Sequence, residues 1–119
     1  MKFGINTFLF TSPFKTKDIS LFSKLKKWGF DSVEIAPEDV SHIDPFVVKQ
    51  ALDDKDLTCN PICAALGLGR DLRGSLQDQE FSMKYLMDVI TVDGYIANFI
   101  YYYACMVLSS SVFTKGRIR

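Results

Sequence analysis

Short β-rich runs alternate with helix-period segments three times along this chain, and that alternation narrows the possible folds more than any other feature. Phe3-Gly4-Ile5-Asn6-Thr7-Phe8-Leu9-Phe10, closed by Ser12-Pro13, reads as a buried strand of the kind found in parallel sheets. Thr16 can cap a helix after it, Asp18 would meet the positive end of that helix's dipole, and Leu21, Leu25 and Trp28 recur at helical spacing before Gly29 ends it. Ser32-Val33-Glu34-Ile35-Ala36 is a second strand, stopped by Pro37. Asp44-Pro45 supplies an N-cap carboxylate and an N1 proline, Val48 and Leu52 form an apolar stripe, and Asp53-Asp54-Lys55-Asp56 is the solvated end of that helix. Leu57 to Cys63 reads as a third strand, with Pro61 as its awkward member because proline cannot donate to a ladder. After the Gly67 to Gly74 loop, Ser75 caps a third helix with Asp78 at N3, and Met83, Leu86, Met87 and Ile90 fall at i, i+3, i+4 and i+7. Three successive strand-helix units predict an α/β protein with a parallel sheet and right-handed crossovers.

Composition limits what such a fold can do. A chain of 119 residues has room for one domain, and 48% apolar against 24% charged residues is enough to build a core. With 14 basic and 14 acidic side chains the net charge is zero, and no dense Lys/Arg block precedes the last few residues, so nucleic acid is disfavoured as a partner. Cys59, Cys63 and Cys105 are an odd number, and Met1-Lys2-Phe3-Gly4 leads straight into a strand-like run rather than a signal peptide, so a reducing cytoplasm is expected. Cys59 and Cys63 lack the further ligands of a zinc site and are expected to be inert core thiols. The single histidine, His42, lies among Glu38, Asp39 and Asp44 with no ligand spacing a metal would recognise, and reads as a surface residue.

The texture changes after Val92. Gly94 through Thr114 carries no charged side chain, and Lys115-Gly116-Arg117-Ile118-Arg119 closes the chain. About twenty uncharged residues suffice to cross a bilayer. Three consecutive tyrosines, Asn98 and three serines dilute that run, so a tail anchor is the disfavoured reading and a buried strand-plus-helix pair the plainer one. The chain therefore divides into residues 1–92, the strand-helix units, and residues 93–119, a divergent apolar tail.

The opening Met1 to Phe14 stretch, Trp28-Gly29-Phe30-Asp31-Ser32-Val33-Glu34-Ile35-Ala36, and Ile62-Cys63-Ala64-Ala65 leading to Gly69-Arg70-Asp71-Leu72-Arg73-Gly74 together resemble the amino-terminal part of the ketose 3-epimerases. These are the D-tagatose and D-psicose 3-epimerase group of the xylose-isomerase-like TIM-barrel superfamily. The resemblance implies a (β/α)8 barrel, a ketohexose substrate, a divalent cation, Mn²⁺ or alternatively Co²⁺ or Mg²⁺, and epimerisation at C3. There a metal polarises the ketone, while a carboxylate on each face takes or returns the proton. In the family the metal ligands and both catalytic glutamates come from later strands. A barrel takes about 250 residues, so the resemblance implies a partial barrel: a truncated, epimerase-like chain with no catalytic residue and no metal or other cofactor of its own.

Four residues are candidates for lining a sugar pocket. Asn6, at the carboxyl half of the first strand, has an amide able to bond a hydroxyl, or else to satisfy a neighbouring strand. Glu34 lies in a strand buried on both faces and must find a partner, either as pocket support or by pairing with an Arg or Lys. Cys63 and Ala64 end the third strand, where the family keeps small residues against substrate and where core packing is the plainer role. The Gly67 to Gly74 loop lacks the Lys-Ser/Thr of a phosphate cradle; Arg70 and Asp71 are expected to pin it to each other or to the rim. Two other classes of function stand beside the enzyme-derived one: an interaction or membrane-tethered module using Tyr95 to Phe113, and a fragment whose open sheet edges promote self-association.

Overall fold

A computed structural model describes residues 1–67 and 69–97 of the chain. The tail readings therefore lie outside the described residues, apart from its first few positions. Three parallel strands form one sheet in the order β1-β2-β3: β1 (Gly4–Asn6), β2 (Ser32–Glu34) and β3 (Thr58–Cys59). Helices α1 (Ser20–Lys27), α2 (Pro45–Asp53) and α3 (Leu76–Ile96) follow the respective strands. The alternation in the sequence thus becomes the expected α/β arrangement.

The strands are shorter than the β-rich runs, and side-chain chemistry explains where they stop. Asn6 Oδ1 accepts from Phe8 N at 2.7 Å, turning the chain into a 3-10 turn over Thr7–Leu9 and leaving Phe8, Leu9 and Phe10 exposed rather than in a buried strand. β3 ends at Cys59, yet hydrogen bonding to the β2 segment continues on both sides of Pro61: Asn60 N donates to Val33 O and Cys63 N to Ile35 O, both at 2.8 Å.

Helix starts follow the sequence closely at α2 and α3. Asp44 accepts from Phe46 N and Val47 N ahead of Pro45, and Ser75 with Asp78 forms a reciprocal capping box. The first helix differs. A 3-10 turn over Thr16–Ile19 precedes α1, and Asp18 caps it by accepting from Lys15 N, while the Thr16 hydroxyl bridges His42 O and Asp44 N. Gly29 ends α1 at φ +90°, the left-handed region open to glycine at little cost.

Two apolar stripes also differ. Phe22 and Leu25 are the buried residues of α1, and Trp28 is 58% exposed against Phe10. On α3 the inward residues are Ser82, Tyr85, Val89 and Ile96, so the Met83, Met87 and Ile90 stripe faces outward, with Met83 52% and Met87 58% exposed. Ser82 tolerates the interior because its hydroxyl donates to Asp78 O at 2.6 Å. The core joins Phe14, Phe22, Val33, Ile35, Val48, Leu52, Ile62, Tyr85 and Val89, holding α2 and α3 against the sheet.

Candidate functional site

In parallel α/β sheets the ligand side is outside the carboxyl ends of the strands. Here those ends carry Asn6 and Glu34, the last residues of β1 and β2 and partners in register. Asn6 Nδ2 donates to Glu34 Oε2 at 2.7 Å. With its Oδ1 already accepting from Phe8 N, the Asn6 amide is oriented at both ends. Among the described residues, Glu34 thus finds this neutral amide as its hydrogen-bond partner in place of the Arg or Lys considered from the sequence. The pair presents a carboxylate and a fixed amide side by side, able to accept from and donate to a polar ligand, respectively.

The segments beyond the strands are tied to one another. The fully buried Thr7 hydroxyl accepts from Ala36 N at 3.1 Å, and Ser12 Oγ donates to a Glu38 carboxylate oxygen. Tyr85, reaching from α3, donates to Pro37 O at 2.7 Å and accepts from Ala65 N at 2.9 Å, joining the segments after β2 and β3. Arg70 lies 4.3 Å over the Tyr85 ring and donates to Glu38 O at 2.8 Å. Burial pushes the Tyr85 phenol above its usual range, so it remains a donor at neutral pH. Sequence periodicity misses Tyr85 because it favours the methionine stripe; the available signal is a tyrosine inside an apolar helix, whose hydroxyl must find a partner when buried. Arg70 ties its loop to the segment after β2 through Glu38 O, whereas Asp71 pairs with Arg73 at 3.2 Å rather than with Arg70.

Cys63 and Ala64 lie in the next segment along the sheet, where Cys63 N donates to Ile35 O just past β2. Both are buried, and Ala64 is wholly enclosed in the apolar core. Cys59 is buried too, and desolvation pushes its thiol up to about 12, which keeps it protonated and unreactive at neutral pH. His42 is exposed, with Nε2 3.8 Å from Asp39 Oδ2. Asp93 of α3 accepts from Ile62 N at 3.0 Å. Burial raises its carboxyl above the usual range, and the hydrogen bond from Ile62 opposes that rise without cancelling it.

Among the described residues, no group of three or more His, Cys, Asp or Glu side chains stands close enough together to hold a metal ion. The described residues therefore do not fit a divalent-cation centre, and the chemistry of the Asn6–Glu34 pair is hydrogen bonding and charge. No helix among the described residues is long and apolar enough to cross a membrane.

Comparison with known proteins gives one partial likeness to set beside this geometry. Over 49 residues, 41% of this chain, the sequence is 39% identical to a Synechocystis sp. protein named "Probable ketose 3-epimerase". The match spans 17% of that protein's length. No family model matches the chain, and no solved structure matches it. Part of the chain is thus similar to a sugar epimerase.

Proposed function

We propose that residues 1–96 form the first three strand-helix units of a ketose 3-epimerase-like (β/α)8 barrel, and that they supply sugar-contacting groups rather than the catalytic ones. The observation that carries this reading is the Asn6–Glu34 pair, 2.7 Å apart at the carboxyl ends of adjacent parallel strands. The partial likeness to a probable ketose 3-epimerase supports it. Asn6 donates to, and Glu34 accepts from, hydroxyls of a ketose, while Ala64, enclosed in the core, takes the packing role. Proton transfer at C3, and the Mn²⁺ or similar ion that would stabilise the enediolate, require donors beyond the described residues.

The test has two parts. Protein incubated with D-fructose or D-tagatose and Mn²⁺ is expected to yield no epimer above the blank, and conversion would overturn the assignment of catalysis to other groups. In ¹H–¹⁵N spectra, D-fructose is expected to shift the Asn6 side-chain amide and the Glu34 backbone signal. An Asn6→Ala variant should lose the Glu34 shift. Unmoved signals at saturating sugar would overturn the sugar-contact reading.

A second reading has its own observation. β1 and β3 are the outer strands of the sheet, and α3 exposes Met83, Met87 and Ile90. Strand edges beside an apolar helix face favour self-association.

A further inference from the structure

A cavity of about 330 Å³ shares no residue with the Asn6–Glu34 pair. Its chemistry comes from Glu38 and Asp39 after β2, from Arg70, and from Phe81, Lys84 and Asp88 of α3. Its volume sits near the lower end of the roughly 300–1,000 Å³ typical of small-ligand sites. The wall carries three carboxylates and two cations, and both cations are already engaged. Lys84 Nζ lies 2.7 Å from Asp88 Oδ2, Arg70 is held by Glu38 O and the Tyr85 ring, and Asp39 Oδ1 accepts from Ser41 N at 2.9 Å.

That mixture of signs selects the ligand. An anion meets Glu38, Asp39 and Asp88, and a cation meets Arg70 and Lys84, so either sign of charge encounters repulsion. A neutral polyhydroxylated molecule avoids it, because each hydroxyl both donates to a carboxylate and accepts from Arg or Lys. Vicinal hydroxyls also suit the two-pronged geometry of carboxylate and guanidinium. The Phe81 ring, 60% exposed, offers a flat apolar surface to the C–H face of a sugar.

We propose that this cavity is a second sugar subsite, on the α3 flank, which takes a neutral monosaccharide or small polyol. The choice of sugar over other neutral polyols rests on the epimerase-like reading; the cavity chemistry does not.

Full-length protein is titrated with D-fructose, D-glucitol and D-gluconate while ¹H–¹⁵N spectra are recorded. The two neutral ligands are expected to give saturable shifts at residues 38, 39, 70, 81, 84 and 88, and the gluconate anion markedly smaller ones. Phe81→Ala and Lys84→Met, both at exposed positions, should weaken these shifts while leaving those at Asn6 and Glu34. Shifts at Asn6 and Glu34 alone would overturn the subsite and spare the proposed function. Shifts at the cavity alone would do the reverse, and gluconate binding as tightly as glucitol would overturn the neutral-ligand assignment.

Discussion

The Tyr85 hydroxyl serves two backbone groups at once, Pro37 O and Ala65 N, and a phenylalanine in its place would leave both without that partner. Leaving a buried polar group unpaired costs about 1–3 kcal/mol. Tyr85→Phe is therefore expected to lower unfolding free energy by about that much in urea denaturation. A change below about 0.5 kcal/mol would mean that water or a backbone shift replaces both bonds. The Arg70 contact with the ring should survive, because it uses the aromatic face rather than the hydroxyl. Asn6 and Glu34 are visible in the sequence as polar residues in strand-like runs, which have to be satisfied somewhere. That they satisfy each other depends on the parallel register of β1 with β2, a non-local fact.

At the scale of elements, α3 shows how a helix can be legible at its start and misleading along its length. The Ser75 and Asp78 cap is local and appears as expected. Which face turns inward is decided by Tyr85 and by the self-satisfied Ser82, two polar residues that a hydrophobic pattern discounts. Asp93 then docks the helix on Ile62 N, next to the proline that interrupts β3. Because burial holds the Asp93 carboxyl above its usual range, the folded value exceeds the unfolded one. Its stabilising contribution is present below the unfolded pKa of about 3.9 and is lost as pH rises through the folded value. Asp93→Asn retains an acceptor and removes the charge. It is expected to be at least as stable as the parent near neutral pH, by less than about 1 kcal/mol given the solvent contact. Thermal melts across pH should show that advantage shrinking on acidification; a large loss near neutral pH would contradict it.

At the scale of the whole molecule, the three-stranded parallel sheet of the described residues leaves both outer strands with backbone groups unused by the sheet. The outward stripe of α3 adds apolar surface, so concentration-dependent association is expected in sedimentation velocity experiments. Replacing Met83 and Met87 together by Lys should shift the population towards monomer without loss of helix, since both side chains point outward. An unchanged distribution would remove the α3 face from the contact. The proposed sugar groups belong to this scale as well, because they come from segments far apart in sequence that only the folded sheet brings together.

Local chemistry is readable directly from the chain. The alternation of β-rich runs and helical segments, the Asp44-Pro45 start, the Ser75 box and the Gly29 stop all act within a few residues, so neighbouring side chains suffice to specify them. Tertiary structure alone decided that Glu34 finds the Asn6 amide, that the Thr7 hydroxyl meets Ala36 N, and that Tyr85 rather than the methionine stripe faces inward. Those outcomes are set by backbone groups and side chains many residues away, and periodicity carries no record of which distant donor a buried acceptor will meet.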